Sequence, residues 1–294
     1  MNTDILSSLY KQYTGQEPQS IDALPGAGSN RRYYRLNGVQ RLIGVCGTSV
    51  EENKAFVYMA QHFSEKGLPV PQVYAVADDC SAYLQEDLGN SLLFDCIANG
   101  RKNGDFSTEE ISMLKTVIRL LPRLQFEGDR EMNYSVCYPQ PEFNRRSILW
   151  DLNYFKYCFL KATGTDFQEN LLEDDFERMA DVLLTAHPVA FMYRDFQSRN
   201  VMIANGKPYF IDFQGGRRGL SYGRPKPTIR RHCAKNWLPS ILKPYNRIPI
   251  STKRSSSVLC VSSYYSALCK CLVLTVSEGI LKRNLTSCKA FLSP

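Results

Sequence analysis

Three oxygen-bearing side chains in one short stretch have the types and spacing that phosphoryl transfer needs. They lie in FMYRDFQSRNVMIANGKPYFIDFQGG, residues 191–216: Asp195, Asn200 five residues later, and Asp212 after that. Val201–Ala204 and Lys207–Ile211 are short apolar runs on either side of Asn205-Gly206, the pair that a two-residue type I′ hairpin turn demands. In that register residue 204 faces 207, 203 faces 208 and 201 faces 210. Asn200 and Asp212 then flank the open end of the hairpin, and Asp195 sits on the loop entering the same end. One carboxylate there can orient an acceptor hydroxyl and take its proton. A second carboxylate and an amide oxygen can hold Mg²⁺ against the phosphates of ATP. Hard oxygen donors suit that ion. Singly, Asp195 reads as a turn cap and Asp212 as a strand end; the spacing, the hairpin and the Asp-Phe pair together point to a phosphoryl-transfer site.

Such a site needs a scaffold, and the preceding sequence supplies one. Residues 1–20 read as a leading helix with Ile5, Leu6, Leu9 and Tyr10 on one side. Strand-like runs at Tyr33–Leu36 and Arg41–Val45 flank Asn37-Gly38, a second hairpin signal, and Gly26-Ala-Gly28-Ser-Asn30 forms a glycine loop entering it. Residues 49–66 read as a helix: Ser49 can cap it, Glu51 and Glu52 fill its first turn, and Phe56, Met59, Ala60 and Phe63 make its apolar stripe. Gly67 stops it, and two more strands follow across Asp78-Asp79. From residue 90 the pattern is mainly helical, with a capping box at Ser107-Thr-Glu-Glu110 and helical spacing over Asp174–Thr185.

The totals exclude several classes. At 294 residues with 44% hydrophobic residues, the chain can bury a sizeable core. The net charge of +7 is unevenly distributed: residues 1–220 hold 23 Lys and Arg against 28 Asp and Glu, whereas 221–294 hold 13 against Glu278 alone. The basicity belongs to the tail, so the body gives no support to a nucleic-acid partner. Cys46, Cys80, Cys96, Cys137 and Cys158 are scattered through the body without a C-x-x-C, as expected of reduced thiols. No basic region followed by an apolar core opens the chain, and no stretch of 18 apolar residues occurs. The expectation is a cytoplasmic protein with no membrane partner; its oligomeric state is not legible.

The catalytic segment resembles the loop and metal motif of the aminoglycoside phosphotransferase and choline-kinase-like superfamily, in which H-x-D-x-x-x-x-N precedes a hairpin and then D-x-[DE/Q]. LPGAGSNRRYYRL, GLPVPQVY, LQEDLG, YRDFQSRNVM and IDFQGG resemble, more narrowly, the bacterial N-acetylmuramate/N-acetylglucosamine anomeric sugar kinases, over about residues 20–219. The resemblance implies an α+β, protein-kinase-like bilobal fold: a β-rich, ATP-binding N-lobe over 1–89 and a mainly helical C-lobe with the catalytic motifs over 90–220. It makes Asp195 the base, Asn200 and Asp212 the metal ligands, and ATP and Mg²⁺ the cofactors. Gly26, Gly28 and Ser29 would cover the phosphates with backbone N–H groups. Glu86 to Leu88 would be the hinge beside the adenine. Departures are visible. Tyr193 replaces the usual His of the loop, a mainly structural position. The strand Arg41-Leu-Ile-Gly-Val45 has no phosphate-binding Lys; Arg31 or Arg32 can supply the charge, with Glu52 as the helix partner. Asp151 and Arg199 are candidates for binding the acceptor, a small hydroxylated molecule. The implied function is phosphorylation of a sugar or amino sugar; an aminoglycoside kinase and an inactive nucleotide-binding pseudo-kinase stay open as alternatives.

After Gly219 the superfamily pattern stops. Residues 221–294 hold 12 Ser and five Cys with one acid, unlike a helical lobe with a charged outer face. A reading-frame change near Tyr222 accounts for this; a genuine basic, Cys-rich extension is the alternative, although its cysteines lack a zinc spacing. Either way the helical lobe is expected to be incomplete and its tail poorly ordered. Low stability and weak turnover are the expectation for the 294-residue chain.

Overall fold

The structure is a computed structural model describing residues 2–25, 31–162, 164, 166–185 and 189–220. Its first layer is a five-stranded antiparallel sheet: β1 (Ser20–Ala23), β2 (Arg31–Asn37), β3 (Leu42–Gly47), β4 (Val73–Val76) and β5 (Ala82–Glu86), in the order β1-β2-β3-β5-β4. Alternation along β3 gives the sheet two apolar faces. Leu42 and Cys46 pack with Leu36 and Leu84 against Leu6, Leu9 and Tyr10 of helix α1 (Asn2–Thr14). Ile43 and Val45 turn the other way, towards Phe56, Met59, Ala60 and Phe63 of α2 (Val50–Glu65).

Two elements differ from expectation. The leading helix stops at Thr14, because Gly15 takes a φ of +81°, and the residues after it form β1, an edge strand whose burial pattern carries no clear alternation. At Asn37-Gly38 the chain makes a wider loop than a two-residue turn. Asn37 stays in β2, paired with Ser20, and Leu36 pairs with Leu42. The Tyr10 hydroxyl shapes that loop, donating to the Gln40 carbonyl at 2.7 Å and accepting from the Gln40 N–H at 3.0 Å. Gly38 is needed there for close approach: a Cβ would sit 2.5 Å from the Tyr10 hydroxyl oxygen.

The helical part begins with the short helices α3 (Leu93–Cys96) and α4 (Ala98–Asn103), followed by α5 (Thr108–Phe126), which starts with the expected Ser107–Glu110 capping box. Helices α6 (Arg145–Phe155) and α7 (Glu169–Leu184) form a smaller core of their own around Ile148, Leu152, Phe176 and Ala180. Strand β6 (Val189–Met192) pairs with β9 (Arg217–Leu220), and between them lies the hairpin β7 (Val201–Ala204) and β8 (Lys207–Phe210). Among the described residues, no helix is long and apolar enough to cross a membrane.

One apolar cluster joins the two parts. It runs from Val45 and Phe56 through Phe63 to Leu114, Val117, Leu121 and Leu124 of α5, and on to Phe191, Phe210 and Phe213. Phe63 is fully buried, its ring 4.9 Å from that of Phe191 and 5.5 Å from that of Phe213, both edge to face. Because Phe213 directly follows Asp212, this cluster sets where that segment stands relative to α2. Replacing Phe63 with Ala is expected to lower the unfolding free energy by about 3–5 kcal/mol, read from the shift in a denaturant-unfolding midpoint at unchanged slope.

Candidate active site

The hairpin has the register that the sequence predicts, with Ala204 opposite Lys207, Ile203 opposite Pro208 and Val201 opposite Phe210. Asn205 and Gly206 take φ values of 51° and 74°, the positive angles of a type I′ turn. At its open end the Ile211 N–H donates to the Asn200 carbonyl at 3.0 Å. Asn200 ends a single 3₁₀ turn (Ser198–Asn200) and is buried. Its side-chain Nδ2 donates to the Asp195 carbonyl at 2.9 Å and to Asp212 Oδ2 at 3.2 Å. One amide thus fixes the loop at Asp195 and the segment at Asp212 to each other. The Asp195 carboxylate faces the same motif: a Cβ built at Gly215 would lie 3.6 Å from Asp195 Oδ2.

Arg194 and Asp212 hold φ values of 60° and 61°. Left-handed backbone at non-glycine residues costs roughly 1–2 kcal/mol each and lasts only where contacts hold it. Tyr193 supplies one such contact. Its fully buried hydroxyl lies 3.1 Å from the Asn200 carbonyl and also against that of Ile211, so it ties together the residues that precede Val201 and Asp212. Burial, reinforced by the charges of Asp212 and Asp195, holds this hydroxyl far above the usual tyrosine range, and it remains a donor. This is what occupies the place of the usual histidine.

The cation opposite Asp212 comes from β2. Arg31 is 3% exposed and its Nη2 lies 2.9 Å from Glu52 Oε1 on α2. Burial pulls the Arg31 pKa down, but Tyr83, Tyr33 and Glu52 outweigh it and leave the value raised. Arg32, its neighbour, points to the opposite face and lines a recess of about 270 Å³ behind the sheet with Cys46 and Thr48. Gln214 closes the circuit, donating from Nε2 to Asp212 Oδ1 at 2.6 Å and reaching Glu52 Oε1 at 3.4 Å. Gln214 is the third position of the D-x-[DE/Q] pattern that the sequence resembles, but the sequence reading gave it no role of its own.

Glu86 ends β5, with its N–H given to the Gln72 carbonyl, and Leu88 is buried just beyond it. Between them Asp87 is the missed residue. Its carboxylate, 2% exposed, meets both Arg35 Nε and Arg41 Nε at 2.7 Å, and Arg35 also donates to the Gly89 carbonyl and Asn90 Oδ1. These bonds fasten β2 to the segment joining the lobes. Asp151 lies on α6, where both its oxygens accept from Arg194 Nη2 at 2.7 Å. Arg199 is exposed, its guanidinium 4.4 Å from the Phe94 ring centre. Gly26, Gly28 and Ser29 lie outside the described residues, as does the whole stretch 221–294.

The donors fit Mg²⁺. Among the described residues no group of three or more His, Cys, Asp or Glu is arranged around a common point, so a closed protein cage for a metal is not built there. Asn200 Oδ1 and the Asp212 carboxylate are hard oxygens in a pre-set arrangement. That suits an ion that takes one or two protein ligands and completes its shell with water and substrate phosphates.

Comparison with known proteins identifies the family. Residues 20–220 match a family described as the phosphotransferase enzyme family. An N-acetylmuramate/N-acetylglucosamine kinase of Neisseria meningitidis is 30% identical over 198 residues, covering 65% of this chain and 56% of the relative. One of the same name from Pseudomonas aeruginosa is 25% identical over 208 residues, covering 69% and 55%. The chain therefore spans little more than half the length of these relatives. In fold it is similar to an aminoglycoside 2'-phosphotransferase-IIIa in complex with GDP (TM-score 0.57, 12% identity, 99% of this chain and 96% of that one). It is also similar to a streptomycin–ATP ternary complex of APH(2")-IIa (TM-score 0.53, 13% identity, 91% and 96%). At such identities the likeness establishes the fold alone.

Replacing Tyr193 with Phe leaves two buried carbonyls one donor short. Its expected cost is about 1–3 kcal/mol of stability, read by chemical unfolding, with Tyr193→His recovering part of the loss through its ring N–H.

Proposed function

Because the chain belongs to the phosphotransferase enzyme family, we propose that it transfers the terminal phosphoryl group of ATP to a hydroxyl of a sugar or amino sugar. The observation that carries this reading is the Asn200 amide, bonded at once to the loop that bears Asp195 and to the carboxylate of Asp212. Asp195 would orient the acceptor hydroxyl and receive its proton as the oxygen attacks phosphorus. Asn200 and Asp212 would hold Mg²⁺, which neutralises charge on the phosphates when bound. Arg31, steadied by Glu52, would add a fixed positive charge from the N-lobe, in place of a lysine on β3. Little covalent chemistry falls to the protein in such a transfer; positioning and charge stabilisation supply the rate.

The acceptor class is supported by the two relatives named as N-acetylmuramate/N-acetylglucosamine kinases. Body charge adds little: residues 1–220 hold 28 Asp and Glu against 23 Lys and Arg. The aminoglycoside kinases enter through fold likeness alone, so an aminoglycoside acceptor is the lesser reading.

A long-incubation assay of ADP release with Mg·ATP and a panel of N-acetylmuramate, N-acetylglucosamine and aminoglycosides tests the proposal. Phosphorylation of an N-acetylated sugar is expected. Asp195→Asn should lower that rate by about 10²–10⁴-fold while leaving ATP binding in place. Phosphorylation of aminoglycosides alone would replace the acceptor, and ATP binding with no acceptor turned over above the Asp195→Asn background would favour a pseudo-kinase. A second expectation concerns Arg31: Arg31→Met should raise the KM for ATP more than it lowers kcat, because the charge it removes meets phosphates already in the ground state.

A further inference from the structure

Gln214 stands between two acids and is neither the base nor one of the two ion-binding residues. It is 8% exposed. Its amide nitrogen donates to Asp212 Oδ1 at 2.6 Å and spans to Glu52 Oε1 at 3.4 Å, and Arg31 Nη2 meets that same Glu52 oxygen at 2.9 Å. A path of one ion pair and four hydrogen bonds runs from Arg31 on β2 through Glu52 on α2 to Gln214, Asp212 and Asn200, and reaches the Asp195 carbonyl. It crosses from the N-lobe to the catalytic loop without a break.

The chemistry of position 214 is specific. A primary amide carries two hydrogens on one nitrogen and no charge, so it can serve two carboxylates together. A carboxylate there would give no hydrogen to either and would bring a third negative charge beside Asp212 and Glu52. An apolar side chain of equal length would fill the space and bond to neither. Asp212 needs such support, because its φ of 61° is one that a non-glycine residue keeps only under restraint.

We propose that Gln214 is a positioning residue: it presets the Asp212 carboxylate for Mg²⁺ by tying it to Glu52, so that metal-dependent nucleotide binding is linked to the placement of α2. The inference rests on the phosphotransferase reading above and adds to it a residue that acts through Asp212. Its consequence is selective. ATP without metal meets Arg31, whose pairing with Glu52 does not pass through Gln214. Mg²⁺ needs the Asp212 carboxylate in place, which does.

Calorimetric titration of the 294-residue chain with ATP, in EDTA and then across a Mg²⁺ series, separates the two. Gln214→Met is expected to raise the Mg²⁺ concentration for half-maximal tightening about 10-fold, the usual scale for losing a partner of a metal ligand, while ATP binding in EDTA stays within about twofold. Gln214→Asn keeps the amide but is too short to span both acids, so it should move in the same direction and serves if the Met variant does not fold. An unchanged Mg²⁺ requirement, or equal weakening with and without metal, overturns the role of Gln214. Wild-type protein that binds no ATP under either condition overturns the phosphotransferase reading instead, and this inference with it.

Discussion

The site depends on the closure of one two-residue turn. Asn205 and Gly206 reverse the chain in a type I′ conformation, which matches the twist of the strands on either side. Side chains alternate along a strand, so a slip of one residue would turn each one to the opposite face. With the turn fixed, Asn200 and Asp212 are neighbours across the hairpin mouth, and a side-chain amide can bridge them at 3.2 Å. The Asp195 carbonyl accepts from the same amide, so the loop bearing Asp195 inherits its position from the turn. Tyr193 repeats the arrangement from beneath, with one hydroxyl against the carbonyls of Asn200 and Ile211.

A second constraint sets the height of this assembly above the sheet. Phe213, fully buried, stacks on Phe56 at 5.0 Å and meets Phe63 edge-on, so the metal motif is seated by the apolar stripe of α2. The same helix presents Glu52 one turn earlier, towards Arg31 and Gln214. Packing and electrostatics thus act on one rigid element, and a shift of α2 would move the aromatic seat and the ion pair together. The cation's place on β2 follows from β3: on the face turned to α2 that strand offers Ile43 and Val45, both apolar, whereas Arg31 lies across from Gly47 at the strand's far end. A long guanidinium arm can reach from the adjacent strand what a lysine would reach from β3.

Local signals were legible where one residue type meets one geometric demand. The Ser49 and Ser107 caps, the apolar stripe of α2 and the register of the β7–β8 hairpin all belong to that kind. The dipeptide Asn-Gly occurs twice, and its two fates show the limit. At 205–206 it is the turn. At 37–38 the Tyr10 hydroxyl, 30 residues away in sequence from Gln40, bonds to that residue's backbone and holds a wider loop. No local pattern encodes that contact. Asp87 was hidden for a related reason. In LQEDLG it is one more acid, and only the fold brings Arg35 from β2 and Arg41 from before β3 to the same carboxylate. Gln214 was legible only as the third position of D-x-[DE/Q]; that its amide reaches two acids 160 residues apart is a fact of the fold.

The same reasoning bears on Asp151 and the acceptor side. Asp151 was singled out as a candidate for binding the acceptor, yet both its oxygens accept from Arg194, the residue directly before the base. Arg194 is held at a φ of 60°, with its guanidinium also near the face of the Phe143 ring, at 5.2 Å. Close by, Arg217 is 2% exposed, and burial, together with repulsion from Arg194, pulls its pKa down to about 10. Two buried cations side by side need a nearby anion, and Asp151 from α6 supplies it. Removing that carboxylate would therefore disturb the backbone that carries Asp195 whether or not a sugar ever touches it. The α6 helix is thereby coupled to the loop at Asp195, as α2 is coupled to the segment at Asp212. The two sides of this cluster are set by ion pairs on different lobes, Arg194 with Asp151 and Arg31 with Glu52, so its geometry depends on how both helices stand.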